Sequence, residues 1–404
     1  WRLREGDSLG GSLREEYDTY TEMLQRAGYR IGRFGKGVWP SKHAFRGRDS
    51  FGERFRSFDE FLKDRKPGQP FCYWHGGGDP HRPYELNVGA KHGLKLSDVK
   101  VPACLPDNQT VRGDVADYLW EVQRFDREVG RIIAKLEAIG ELDNTLIVVS
   151  GDNGMPFPRC KATLYDQGTR VPLAVRWGAR VKGGRRVADF VSLCDLAPTF
   201  LEAVGLKPSK QMTGRGLLPV LASNKSGLVD PTRTFVLTGM ERHVYLYPSR
   251  ALRDKDYLYI RNFNPQSWPT GEVKGRNPKY DFAAEPWPTE RGAFSFNIDP
   301  SSSKQFLRLH RDDRETKRFV GLAFSRPPEE ELYDLRNDPD QLHNVAADPI
   351  HAEARRRLRR QLNAELIKSG DPRGPRSRTE LDSTLPAESE HSSNNPPFGQ
   401  QPKS

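Results

Sequence analysis

Asp152 and Asn153 follow directly on the apolar run TLIVVSG. A carboxylate beside an amide oxygen is a pair of hard donors suited to calcium or magnesium, and Gly151 and Gly154 permit the tight backbone that would turn both inward. Asp-Asn-Gly is equally ordinary turn chemistry, so both readings stand. A second stretch, GGGDPHRP, has three glycines that let the backbone approach a ligand, then a proline that fixes the turn. His81 follows as an acid, a base or an anion donor, or as an incidental histidine on a surface loop. In RFGKG, Lys36 stands between glycines after a strand-like run, and Lys161 lies a few residues beyond the Asp-Asn pair. Most lysines only solvate a surface. Together, though, a hard-cation pair, a histidine and two lysines at strand-to-loop crossings describe a site that binds and polarises a tetrahedral oxyanion.

Such a site needs elements that bring separate loops together. EEYDTYTEMLQRAGYRIGRFGKG pairs an amphipathic helix, stopped at Gly28, with a strand in YRIGRFG. FRSFDEFLKDRKPGQPFCYWHGGGDPHRP repeats the order, with a helix near residues 58–63, a Lys-Pro-Gly break and an aromatic strand over 71–74. Val115, Leu119, Val122, Phe125, Val129, Ile132, Leu136 and Ile139 keep a three-or-four spacing that predicts a long helix. Gly140 stops it, and TLIVVSG follows as a β-branched run of the kind buried on both faces of a sheet. TRVPLAVRW reads as a strand, VSLCDLAPTFLEAVG as a helix, and LVDPTRTFVLTG as a strand ending near Gly239. This alternation predicts an α/β fold with a central sheet flanked by helices on both faces. Ligands of such sheets collect at the carboxyl ends of the strands, where Asp152 and Asn153 sit.

Past that point the pattern changes. Residues 241–328 read as shorter strands broken by loops, EEELYDLRNDPDQLHNVA as a strand and a turn, and 351–367 as a last helix. The expectation is a domain over 1–240, a smaller antiparallel unit closed by a helix over 241–368, and a disordered tail over 369–404, where large apolar residues almost vanish.

The 404 residues carry 64 Lys and Arg against 54 Asp and Glu, a net charge of +10. That favours a polyanionic ligand such as an acidic glycan. The densest basic cluster, HAEARRRLRRQL, reads more readily as a solvated helix face, and no module or basic-aromatic stripe points to nucleic acid. No run approaches the roughly 18 apolar residues of a membrane span. Cys72, Cys104, Cys160 and Cys194 lie far apart with no metal spacing and are expected to be isolated, mostly buried thiols. The chain begins at Trp1 with no apolar signal core, so the expectation is an N-terminal fragment.

The segments AGYRIGRFGKG, DPHRPYE, VQRFDREVGRIIAKLEAIGELDNTLIVVSGDNG, LYDQGTRVPLAVRW, DFVSLCDLAPTFLEAVG, TGRGLLPVL and ELYDLRNDPDQLHNVAADP, in that order, resemble type I sulfatases of the alkaline-phosphatase-like superfamily. SGDNGMPFPRCKATLYDQGT is most similar to the heparan N-sulfatase branch. The resemblance implies that Asp152 and Asn153 are calcium ligands and that Lys161 contacts the sulfate. It makes His81 the histidine near the sulfate and leaving atom, and Lys36 the lysine that holds the nucleophile. Glu241, Arg242 and His243 become candidates for contacting the sugar, with surface polarity as the alternative.

It also implies a formylglycine nucleophile made from Cys or Ser in a C/S-x-P-x-R motif, which this sequence does not contain; CLPDN at Cys104 lacks the arginine. The family's N-terminal aspartate pair is likewise absent, so both are expected upstream and the chain as given is expected to be inactive. Where relatives carry a histidine shortly after the lysine, this sequence has Val38 and Trp39, with His43 as a substitute. The implied reaction is hydrolysis of a sulfate ester or sulfamate on a sulfated sugar, N-sulfoglucosamine favoured. The rivals are a phosphatase or phosphonate hydrolase of the superfamily and a glycan-binding relative without turnover. The family implies export to periplasm, exterior or lysosome. Oligomeric state stays open, a homodimer being one form.

Overall fold

The computed structural model describes residues 17–37, 50–243, 246–263, 265 and 298–375. Val38, Trp39, His43 and the tail beyond residue 375 lie outside the described residues.

Helix α1 (Tyr20–Arg26) opens with a capping box between Thr19 and Glu22 and leads into β1 (Arg30–Gly35). Strands β2 (Glu53–Phe55) and β3 (Phe71–Gly76) flank β1, all parallel, in the order β2-β1-β3. Between them runs α2 (Phe58–Lys63), capped by Ser57. Gly32 makes room for it: a Cβ there would meet the Phe61 ring at 2.4 Å. Phe55, Phe58, Phe61 and Leu136 form one core, with Phe71, Tyr73, Ile132 and Ile147 packed against it. Each such side chain contributes about 1.5–3 kcal/mol on burial.

After α3 (Val88–Lys91) comes the long helix α4 (Gln109–Ala138), whose cap Asn108 accepts from the Val111 amide at 3.1 Å. It starts six residues before Val115, the first residue of the apolar stripe, because the Asn108 cap and not that residue sets its beginning. Strand β4 (Ile147–Ser150) pairs with β5 (Leu173–Arg176), and α5 (Asp166–Thr169) lies between them. That pairing is antiparallel and its residues are only half-buried, which corrects the expectation of a strand buried on both faces. Helices α6 (Leu196–Ala203) and α7 (Leu218–Ala222) follow, and α6 packs on α1 through Phe200 and Tyr20 at 5.3 Å.

The second sheet is antiparallel, in the order β6 (Phe235–Arg242), β7 (Leu246–Asp254), β8 (Tyr257–Asn262), β9 (Glu330–Asp334). Its faces alternate along β8: Tyr259 packs with Leu358, Leu362 and Leu366 of helix α10 (Ala352–Ser369), while Leu258 and Ile260 pack with Leu164. The architecture is thus α/β, with a three-stranded parallel sheet flanked by helices, the β4–β5 pair, and a separate four-stranded antiparallel sheet closed by a helix.

Two short helices, α8 (Ser302–Leu309) and α9 (Lys317–Phe324), occupy a stretch expected to hold strands and loops. They do not belong to the second sheet: Ile298, Leu307, Phe319, Val320 and Phe324 share one core with Val99, Val111, Val115 and Phe157. A cut at residue 240 therefore does not separate the cores. A tail starting at 369 is also too early, because Asp371 and Arg373 are buried beyond α10. The basic cluster of α10 is largely committed within the fold, with Arg355 donating to the Ala346 carbonyl, Arg357 to Asp254 and Arg359 to Glu330. Among the described residues no helix is long and apolar enough to cross a membrane.

Candidate active site

The parallel register sets Gly35 beside Gly76, so β1 and β3 end together. The Lys36 amide donates to the Gly76 carbonyl at 2.8 Å, and the Trp74 indole N–H donates to the Lys36 carbonyl at 2.9 Å. The approach leaves no space for side chains: a Cβ on Gly76 would lie 1.8 Å from the Lys36 carbonyl oxygen. Two backbones that close deliver Lys36 and the loop toward His81 from one place. Lys36 Nζ then stands 3.8 Å from Asp152 Oδ2, both side chains exposed. Asp152 Oδ1 accepts from the Asn153 side-chain Nδ2 at 2.9 Å. The turn beneath them depends on Gly154, whose amide donates to the Gly168 carbonyl at 2.9 Å and whose Cβ position lies 1.9 Å from the Gln167 oxygen.

Asp152 and Asn153 are adjacent oxygen donors of the type calcium takes, and they fit as part of a shell of about six to eight. Among the described residues no group of three or more His, Cys, Asp or Glu is placed to hold a metal.

His81 is fixed by its neighbours. Its amide donates to the Gly78 carbonyl at 2.9 Å, and Nδ1 donates to the Arg82 carbonyl at 2.6 Å. A carbonyl oxygen only accepts, so Nδ1 carries a proton and Nε2 is the ring atom left for exchange. Arg82 points the other way, donating to Asp114 at 2.8 and 3.0 Å and to the Pro156 carbonyl at 2.9 Å, between the rings of Tyr84 and Phe157.

Lys161 Nζ donates to Asp299 Oδ2 at 2.8 Å, with side-chain exposures of 13% and 19%. Burial alone would raise the Asp299 carboxyl; Lys161, then His81 and His243, outweigh it and hold the group below its ordinary value. Lys161 thus closes on a carboxylate that sequence reasoning missed, with His81 and His243 near enough to act on its charge. The available signal was Asp-Pro ahead of Ser301, whose hydroxyl caps α8 by accepting from the Lys304 amide. The same reading missed the Arg82–Asp114 pair inside DPHRPYE.

Glu241 is paired with two arginines. Its carboxylate accepts from Arg250 at 2.6 Å and Arg373 at 2.9 Å, which commits it to tying β6 to the chain after α10. Arg242 ends β6 at a register shift. Cys104 and Cys160 are not isolated, since both thiols are buried in one core.

Residues 43–206 match the Sulfatase family model, and residues 159–269 match the model of the N-sulphoglucosamine sulphohydrolase C-terminal region. The chain carries a Sulfatase family domain over the first of these stretches. It is 28% identical to human N-sulphoglucosamine sulphohydrolase over 288 residues, 68% of this chain and 52% of that protein. An ulvan-active sulfatase of Formosa agariphila is 27% identical over 309 residues, 76% of this chain and 47% of that protein. The chain thus spans about half the length of the curated relatives it matches. A protein solved with its substrate D-glucosamine-2-N,6-O-disulfate superposes at a TM-score of 0.60 and 18% identity, covering 90% of this chain and 84% of the other. A phosphonate monoester hydrolase of Agrobacterium radiobacter superposes at 0.53 and 18% identity, covering 77% and 59%. These structural likenesses speak to the fold.

Proposed function

We propose that this chain forms the anion-holding part of a sulfohydrolase that releases sulfate from a sulfated sugar, with N-sulfoglucosamine the favoured unit. The observation that carries the reading is the Lys161–Asp299 contact at 2.8 Å, with His81 and His243 near enough to act on the carboxylate, all three basic residues lying within the spans that match the two family models. An ammonium has three donors, so Lys161 can keep its bond to Asp299 and still donate to sulfuryl oxygens. Lys36 supplies a second cation beside Asp152. His81, with Nδ1 committed to the Arg82 carbonyl, exchanges a proton through Nε2 with the leaving nitrogen or oxygen.

In this reading Asp152 and Asn153 hold a calcium ion, which when bound stabilises charge on the transferred group. The formylglycine nucleophile is assigned to sequence outside these residues, so the chain alone binds its sugar without turning it over. Export follows from the same reading.

The test is sulfate release from N-sulfoglucosamine and from glucosamine 6-sulfate by the full-length gene product, beside binding of both sugars to the 404-residue chain. Release that Lys161→Ala abolishes supports the reading. Turnover of a phosphate monoester with none of either sulfated sugar overturns it.

A further inference from the structure

We infer that Asp299 is a specificity-determining residue: its carboxylate cancels the charge of Lys161, so that the site selects singly charged sulfate esters and sulfamates over doubly charged phosphate monoesters. The inference rests on the anion-site reading above and names how that site chooses among tetrahedral anions.

Lys161 and Asp299 form a half-buried contact pair at 2.8 Å whose charges sum to zero. An anion held by the remaining donors of Lys161 also stands within a few ångströms of the Asp299 carboxylate. In a site partly removed from water that repulsion is strong, and it scales with the charge of the anion. A sulfate ester or sulfamate carries one charge, whereas a phosphate monoester carries nearly two at neutral pH because its second pKa is about 6. Asp299 therefore penalises the dianion twice over.

The groups facing Asp299 come from several elements: His81 from the loop after β3, Lys161 from the loop after β4 and His243 from the end of β6. Tyr84, whose phenol burial keeps protonated, stands in the same field and adds no charge. Lys304 donates to the Ile298 carbonyl at 3.0 Å, next to the carboxylate in sequence. The histidines bring positive charge as they protonate and favour both kinds of anion, so Asp299 supplies the opposing charge that separates them.

Methyl sulfate, a monoanion, and inorganic sulfate, a dianion, are suitable probes, with their binding to the 404-residue chain measured by calorimetry at pH 7.5. Asp299→Asn is expected to tighten methyl sulfate about threefold and inorganic sulfate about tenfold, since one lost repulsion counts once for the first and twice for the second. Asp299→Glu, which keeps the charge, should hold the ratio of affinities at the wild-type value. Should the Asn variant not fold, the wild-type chain decides: binding methyl sulfate at least as tightly as sulfate supports the inference, and a tenfold preference for sulfate overturns it. Equal changes for both probes in Asp299→Asn also overturn it while leaving the anion-site reading intact. Failure of that reading shows differently, as affinities for both probes that Lys161→Ala leaves unmoved, and it removes this inference as well.

Discussion

Arg82 and Asp114 face each other as a bidentate pair at 2.8 and 3.0 Å, their side chains only 6% and 3% exposed. Asp114 Oδ2 also accepts from the Ser303 amide at 3.0 Å, and Arg82 reaches the Pro156 carbonyl. One ion pair thus joins the loop of His81, helix α4, the turn before Lys161 and the start of α8. The Arg82 carbonyl also accepts from His81 Nδ1, so the pair holds that histidine's loop as well as the elements leading to Lys161 and Asp299.

Removing one partner should therefore be costly. Asp114→Ala strands a buried guanidinium, and the expected loss is about 3–5 kcal/mol of unfolding free energy. Urea denaturation checks this, with Leu309→Ala as the control: Leu309 is 63% exposed and its truncation should cost under about 0.5 kcal/mol.

A methyl group on Gly76 has no space beside the Lys36 carbonyl, so Gly76→Ala must push the ends of β1 and β3 apart. The expected cost is about 1–3 kcal/mol, with weaker binding of methyl sulfate wherever Lys36 contributes. Gly78→Ala, two residues on, meets nothing within 4 Å and should leave both quantities unchanged. Equal stability of the two variants would refute the close-approach argument.

Much of this was legible because local signals agreed with one another. The helix over 58–63 and the strand from Phe71 stand where Ser57, the Lys-Pro-Gly break and the aromatic alternation put them. His81, Lys161, Asp152 and Asn153 were visible because glycines and prolines mark loops that must be tight. Asp299 was not, since its role depends on a chain that returns across the fold to meet Lys161, and nothing local to FNIDPSSS announces that partner. Helices α8 and α9 escaped for a related reason: each is eight residues long, and their apolar faces make sense only against α4. The partners of Glu241 were hidden in the same way, because the arginines that bind it lie at positions 250 and 373.

Acid should loosen the second sheet through a specific carboxylate. Hydrogen bonds from Arg336, at 2.7 and 2.8 Å, hold the Asp334 carboxyl down to about 2 against the opposing effect of burial. A lowered folded pKa means the contribution is complete above the ordinary value of about 3.9 and disappears as pH falls toward 2. The gap in unfolding free energy between the wild type and Asp334→Asn should accordingly be widest at pH 5 and close by pH 2. A gap constant across that range would refute it.

Thiol labelling should divide the cysteines. Cys194 is exposed and should react first with iodoacetamide at pH 8. Burial pushes the Cys72 thiol up to about 12, which leaves little thiolate at that pH. Cys104 and Cys160, buried together in one core, should label only on unfolding. Mass spectrometry of the alkylated peptides reads the order directly, and rapid labelling of Cys160 in the native chain would contradict the packing.

Phe319 and Phe324 complete a core that Val99 and Val111 begin. During synthesis the ribosome must therefore release most of the chain before that core can close, and the early segments wait with their apolar faces open. A protein with this weave gains little from being made in halves, and a stop codon before residue 324 would remove the lid of its first core as well as strand β9 and the helix that closes the antiparallel sheet.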